Sequence, residues 1–89
     1  MFTIKHLAPQ GTIYAMEEER EMGYITYEVS NSIMTITHTI AHVEKRGVGK
    51  FLVLAAIEYA KQENLKIHPQ CSYARALMMR NEELRKMMV

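Results

Sequence analysis

Residues 33–63, IMTITHTIAHVEKRGVGKFLVLAAIEYAKQE, contain the change of sequence pattern that decides the fold. Residues 33–40 are rich in Ile and Thr, which favour a β-strand. From Val48 to Glu63 the apolar residues recur at the spacing that marks one face of a helix. A glycine-containing stretch joins these two segments. The sequence therefore predicts a strand, a tight loop and a helix that packs on a sheet.

The segments on either side extend this unit into a sheet. Residues 2–7 and 12–16 are rich in β-branched and aromatic residues, and residues 23–29 alternate between apolar and polar side chains. After the helix, residues 65–68 form a short strand that Pro69 ends. A strand–helix–strand crossover favours parallel pairing. We therefore predict an α/β fold with a mixed sheet, antiparallel except for a parallel pair of strands four and five around the core helix.

Two shorter helices complete the predicted fold. Residues 72–80 have a helical pattern, and Asn81 followed by two glutamates is typical of the start of a last helix to Met88. The eight methionines are expected to fill the core or an interface. No linker or repeat interrupts the chain, so we expect one domain over residues 1–89.

Length, composition and charge limit the class of protein. The chain has 89 residues, of which 48% are hydrophobic and 24% charged, as in small globular domains. A formal net charge of +1 gives no support for nucleic-acid binding. The longest apolar stretch, Phe51–Ile57, is too short to span a bilayer. With one cysteine, Cys71, and no export signal, we expect a cytoplasmic protein without an internal disulfide.

The glycine-rich stretch Arg46–Lys50 is the first candidate site. Amides at a helix start have no partner within the helix and carry partial positive charge, so glycines there let phosphate oxygens approach. Arg46 and Lys50 add cationic donors. A Walker loop would need glycine where Glu44 stands, and the dinucleotide fingerprint lacks its third glycine. The residues alone leave two interpretations, a phosphate cradle or an ordinary tight turn.

His38 is the second candidate. Strict alternation along the fourth strand places its side chain on one face with Met34, Ile36 and Ile40. On this pattern it is a core histidine held by a hydrogen bond, or else a base or a ligand.

Cys71 is the third candidate, because it stands where the last strand meets the next helix. A thiol at a helix N-terminus can have a lowered pKa and react as thiolate, whereas most free cysteines are buried small apolar residues. Both interpretations stay open on the sequence alone.

The remaining polar residues predict no further site. The other three histidines have no spacing typical of metal ligands, so we predict no metal site. These are His6, His42 and His68. The acidic run 17–21 is expected to be a solvated loop, with a partner-binding patch as the alternative.

The order of four segments resembles a known family. ITHT (36–39), RGVGK (46–50), AAIEYAKQENLKI (55–67) and PQCSY (69–73) follow one another as in the short, single-domain branch of the GNAT superfamily of acetyl-CoA-dependent N-acetyltransferases. The likeness extends from about residue 23 to residue 73.

The resemblance implies a site and an activity. It implies that strands four and five splay apart, with the pantetheine arm of acetyl-CoA along strand four and the pyrophosphate on the glycine loop. The residues it assigns to the cofactor are Thr39, Ile40, Arg46, Gly47, Val48, Gly49 and Lys50. It assigns His38 and Cys71 as the catalytic pair, with His38 as base and Cys71 as nucleophile or wall. The acceptor is an unidentified primary amine of a small molecule or peptide.

The sequence also departs from the family pattern. The segment before the glycine loop is shorter than in relatives, so the first basic position falls on Glu44 or Lys45. The chain lacks the C-terminal segment in which longer enzymes carry a tyrosine acid, and Tyr73 does not match that motif. Two alternatives stay open: a non-catalytic acyl-CoA-binding or regulatory module, and a redox sensor centred on Cys71. Small relatives suggest a monomer or a weak homodimer.

Overall fold

Five strands form one sheet whose spatial order follows the chain. A computed structural model describes all 89 residues. The strands are β1 (Thr3–Leu7), β2 (Thr12–Glu17), β3 (Arg20–Ser30), β4 (Ile33–Ala41) and β5 (Lys66–Pro69). The first three pairings are antiparallel and β4 pairs with β5 in parallel, so the predicted mixed sheet is confirmed.

Three helices pack on one face of this sheet, which we call the inner face. They are α1 (Val48–Gln62), α2 (Ser72–Met79) and α3 (Glu82–Arg85), and a single 3₁₀ turn, Ala8–Gln10, joins β1 to β2. The buried apolar residues of all three helices share one hydrophobic core with those of the sheet. None of the helices is long and apolar enough to cross a membrane. The opposite, outer face carries the exposed and half-buried residues of the strands.

The predicted last helix is present but is shorter than expected. The side chain of Asn81 accepts a hydrogen bond from the amide of Leu84 at 3.2 Å, which confirms the predicted N-cap. The helix ends at Arg85 rather than Met88. It stops because the last residues run beside β5, where Ile67 donates to Met87 at 2.8 Å and accepts from Val89 at 2.9 Å.

The acidic run 17–21 is exposed from Glu18 to Glu21, as expected of a solvated segment, but most of it is strand, so its prediction as a loop is wrong. β2 continues to Glu17 and β3 begins at Arg20, which leaves only two turn residues between them. Glu17 forms an ion pair with Arg46, and Glu21 forms a hydrogen bond with His42 at 2.7 Å. The run is therefore a β-hairpin, and two of its carboxylates contact the loop that follows β4.

A β-bulge interrupts β4. Thr26 of β3 lies opposite His38, but the next residue, Tyr27, lies opposite Ile36. Thr37 is therefore an extra residue on β4. Its hydroxyl bonds to the hydroxyl of Thr26 at 2.5 Å and donates to the Thr26 carbonyl at 3.2 Å, which ties the bulge to β3.

The bulge reverses the alternation in the second half of β4. Beyond it, Thr39 lies opposite the fully buried Ile25 and therefore faces inward, whereas His38 and Ile40 face outward. The prediction that His38 shares a face with Ile36 is wrong, because one inserted residue shifts the period-two pattern by one. His38 is an exposed residue of the outer face.

Candidate active site

β4 and β5 separate halfway along β4. Their pairing ends where Ile36 lies opposite Pro69. The carbonyl of Ile36 then accepts hydrogen bonds from the amides of both Gln70 and Cys71, each at 3.0 Å. Beyond this point β4 continues to Ala41, while the segment that follows β5 turns away into α2. The sheet therefore has a gap between the second half of β4 and the start of α2, as the resemblance implied.

The edge of β4 presents free backbone groups to this gap. The amide of His42 donates to the Met22 carbonyl at 2.9 Å, which marks one hydrogen-bonded pair of the β3–β4 ladder. Since such pairs alternate along antiparallel strands, Thr39 and Ala41 direct their N–H and C=O groups away from β3 and into the gap. The N–H and C=O groups of Ala41 and the carbonyl of Thr39 can bond to a ligand lying along β4, whereas the Thr39 amide is bonded to the Cys71 thiol.

The first turn of α1 supplies a second set of free donors. The amides of residues 47–50 have no hydrogen-bond partner in the protein, and no side chain caps the helix. Gly47 adopts a left-handed conformation with φ 77°, which turns the chain into the helix. At Gly49 a Cβ would stand 3.1 Å from the ring of Tyr73, so glycine allows that ring to lie against the helix start.

The gap and the helix start open into one cavity of about 350 Å³. Its lining residues come from β4, the following loop, α1 and α2: Thr39, Ala41, Val43, Glu44, Lys45, Gly47, Val48, Gly49 and Tyr73. Lys45 and Glu44 bring one cation and one carboxylate to its rim. The site thus joins an electropositive helix N-terminus to the free edge of a strand.

Three residues that the resemblance assigned to the cofactor lie outside this cavity. Ile40 is on the outer face with 37% of its surface exposed. Lys50 lines a neighbouring cavity with Arg80, and Tyr73 forms the wall between the two cavities. The guanidinium of Arg46 bonds to the Glu17 carboxylate instead.

Arg46 is tied to Glu17 rather than directed at the helix start. Its two terminal nitrogens donate to the two carboxylate oxygens at 2.6 and 2.8 Å. The hydrogen bonds from Arg46 and, to a smaller extent, that from the N-terminal ammonium of Met1 at 3.1 Å hold the pKa of Glu17 well below its usual range, at about 2. Arg46 also lies over the ring of Phe2, 5.2 Å from the ring centroid. Of the loop's basic residues, it is Lys45 that lines the cavity.

Cys71 stands at the narrow end of the gap. Its thiol donates to the Thr39 hydroxyl across the gap at 3.5 Å. Burial raises the pKa of this thiol, but hydrogen bonds that stabilise its thiolate, with the Thr39 hydroxyl and with the amides of Ala74, Tyr73 and Thr39, outweigh that effect and leave the pKa lowered.

His38 and Cys71 do not form a hydrogen-bonded pair. His38 is exposed on the outer face, whereas Cys71 contacts Thr39, which faces inward. The bulge separates them because it turns the His38 side chain away from the cavity.

Two residues of the cavity were not predicted from the sequence. These are Ala41, which faces inward because of the bulge, and Tyr73, whose ring lies against Gly49 of another helix. The only signal for Tyr73 in the sequence was its position two residues after Cys71, at the start of the same predicted helix.

The sequence profile of GCN5-related N-acetyltransferases matches residues 12–87, so the chain belongs to this family, whose acyl donor is acetyl-CoA. The chain is similar to a GCN5-like protein from Staphylococcus aureus whose solution structure was determined by NMR. The TM-score is 0.76 at 31% identity, over 98% of this chain and 87% of that one.

A second solved structure shares the fold. It is the crystal structure of the PaiA N-acetyltransferase from Thermoplasma acidophilum in complex with coenzyme A. The TM-score is 0.61 at 17% identity, over 79% of this chain and 48% of that one. At this identity the likeness concerns the fold alone.

Proposed function

We propose that this protein transfers the acetyl group of acetyl-CoA to a primary amine of a small molecule or peptide by direct attack of the amine. The observation that carries the proposal is the meeting, in one cavity, of the unpaired amides of α1 with the free edge of β4. A diphosphate needs the first of these features, and an extended pantetheine arm needs the second.

The residues around the cavity fit each part of the donor. The amides of residues 47–50 would receive the diphosphate, with Lys45 adding positive charge. Ala41 would bond the pantetheine arm through its N–H and C=O groups, and Thr39 through its carbonyl. Acetyl-CoA supplies the acyl group as an activated thioester. A β4 amide that donates to the thioester oxygen would stabilise the charge that develops there.

His38 is proposed to act from the outer face. The gap interrupts the sheet itself, so an amine on the outer face can reach an acyl group held at the edge of β4. His38 is exposed on that face, adjacent in sequence to Thr39. It would take the proton of the amine, directly or through water, as the N–C bond forms and the C–S bond breaks. The coenzyme leaves as the thiolate.

Cys71 is proposed to be part of the cavity wall rather than a nucleophile. The covalent route needs a base beside the thiol, and the candidate base, His38, faces the other side of the sheet. Direct transfer needs only the amine, the thioester and His38. The separation of His38 from Cys71 therefore favours the direct route.

The test is calorimetry with acetyl-CoA followed by a thiol-release assay over a panel of primary amines. We expect saturable binding, and thiol release with at least one amine. In His38→Gln, kcat should fall about 100-fold with the acetyl-CoA Kd unchanged. His68→Gln is the matched control, because His68 is also exposed on the sheet but lies on β5 opposite Thr35. Binding without thiol release from any amine would favour a non-catalytic acyl-CoA-binding module.

A further inference from the structure

The loop that leads into α1 is fastened by one side chain. Arg46 forms two hydrogen bonds to the Glu17 carboxylate, at 2.6 and 2.8 Å, and lies over the ring of Phe2. The Phe2 ring in turn meets Phe51, on the first turn of α1, in an edge-to-face contact with 5.4 Å between centroids. We call Glu17, Phe2, Arg46 and Phe51 the Arg46 clamp. It joins the end of β2 to both sides of the glycine loop.

The loop has little else to hold its shape. Residues 43–46 form no backbone hydrogen bond, and Arg46 is the only one of them whose side chain forms one. Lys45 and Gly47, on either side of Arg46, both have left-handed backbones, with φ 61° and 77°. For Lys45 this conformation costs energy that contacts elsewhere must offset. Val43 contributes apolar packing against the core.

The position of Arg46 makes the clamp relevant to binding. The residue directly precedes the amides of residues 47–50, which are the proposed receptor of the diphosphate. A guanidinium held by two parallel hydrogen bonds and by a ring face has a fixed position and orientation. This tether at the end of the Arg46 side chain restrains the backbone of Arg46, and through it the direction of the next amides.

We infer that Glu17, acting through Arg46, positions the amides that bind the diphosphate of coenzyme A. Glu17 and Arg46 are positioning residues in this account, and neither touches the coenzyme. The inference rests on the proposed function, because it needs a coenzyme A site at the start of α1. It differs from the sequence-based prediction, in which Arg46 itself was a phosphate ligand.

The test compares two ligands that differ in the diphosphate. Coenzyme A and pantetheine share the pantetheine arm, but only coenzyme A carries the diphosphate. We expect Glu17→Gln to weaken coenzyme A binding about three- to tenfold by calorimetry and to leave pantetheine binding unchanged. Glu19→Gln is the matched control. It makes the same change of charge at an exposed residue of the same hairpin, and it should leave both Kd values unchanged.

A second variant separates positioning from direct phosphate contact. Arg46→Lys keeps the positive charge but loses the two-pronged contact with Glu17, so it should weaken coenzyme A binding as Glu17→Gln does. If Arg46 were a phosphate ligand, Glu17→Gln would release it and strengthen coenzyme A binding, which would overturn the inference. So would equal loss of coenzyme A and pantetheine binding in both variants. Failure of the unaltered protein to bind coenzyme A would instead refute the proposed function.

Discussion

Cys71 and Thr39 show, at the scale of single residues, how the gap is held at its narrow end. Their side chains meet at 3.5 Å across the separation of β4 from the following segment. Cys71 was a candidate from sequence because of its place before a helix, and that place is correct. Its partner could not be predicted, because the bulge decides that Thr39 faces inward. The contact of Arg46 with Glu17 could not be predicted for a similar reason, since the two residues lie 29 positions apart in sequence.

Replacing Cys71 by alanine should leave the enzyme active. Because direct transfer does not use the thiol, we expect kcat to stay within about tenfold of the unaltered enzyme. Cys71→Ser keeps a hydroxyl near Thr39 and should retain still more activity. The measurement is steady-state thiol release, together with the intact mass of the protein after mixing with acetyl-CoA and no amine. An acetylated protein, and its loss in Cys71→Ala along with turnover, would establish the covalent route instead.

At the scale of elements, β4 carries the part of the fold that sequence patterns could not show. The strand, the loop and α1 were all predicted, because Ile–Thr alternation and helical spacing are local signals. The helix start was predictable as well, since Gly47 and Gly49 stand where free amides must be. A bulge depends instead on how two strands align, and nothing in residues 33–40 indicates that Thr37 is the extra residue.

The bulge makes the orientation of Thr39 and Ala41 depend on Thr37. We expect Thr37→Val to remove both hydrogen bonds to Thr26, to lower the free energy of unfolding by about 1 kcal/mol and to lower kcat about tenfold. The fall in kcat, expressed as an activation free energy, should exceed the fall in the free energy of unfolding, because the β4 edge is displaced relative to the acyl group. Thr35→Val is the control, since Thr35 lies on β4 before the bulge and forms no side-chain hydrogen bond. Urea unfolding and steady-state kinetics give the two quantities, and equal behaviour of both variants would contradict the role of the bulge.

At the scale of the whole molecule, the end of α1 away from the cavity is fixed by a polar and aromatic cluster. His6 bonds to the Tyr27 hydroxyl at 2.5 Å, and its ring lies 4.4 Å from that of Tyr59 near the end of α1. Burial lowers the pKa of His6, and burial raises the pKa of Tyr27 to about 12. At neutral pH the phenol is therefore protonated and the imidazole is neutral.

This cluster predicts a dependence of stability on pH. Because the His6 pKa is lower in the folded protein than in the unfolded chain, the unfolded chain binds more protons below about pH 6.5. The free energy of unfolding should therefore be largest above that pH and fall as the pH drops towards the folded pKa. His6→Phe should lack this part of the pH dependence. Urea unfolding at several pH values between about 5 and 7.5 measures it, and identical pH profiles for the two proteins would refute the assignment.

No helix covers the outer face, so the gap is open from two sides, with the cavity on the inner side and His38 on the outer side. Beside His38, one cross-strand row runs through Lys5, Tyr14, Tyr24 and Ile40. The rings of Tyr14 and Tyr24 lie 6.0 Å apart, and Tyr24 is opposite Ile40 on the strand that borders the gap.

An amine that reaches the gap from this side would pass over the Tyr24 ring, which can contact both an ammonium group and apolar carbon. We expect Tyr24→Ala to raise the KM for the amine about three- to tenfold while the acetyl-CoA Kd stays unchanged. Lys5→Ala is the control, because Lys5 is in the same row but three strands from the gap, about 14 Å at the usual strand spacing. Steady-state kinetics at saturating acetyl-CoA, with calorimetry for the donor, separate the two effects. A rise in the acetyl-CoA Kd with no change in the KM for the amine would mean that the amine does not approach over the outer face.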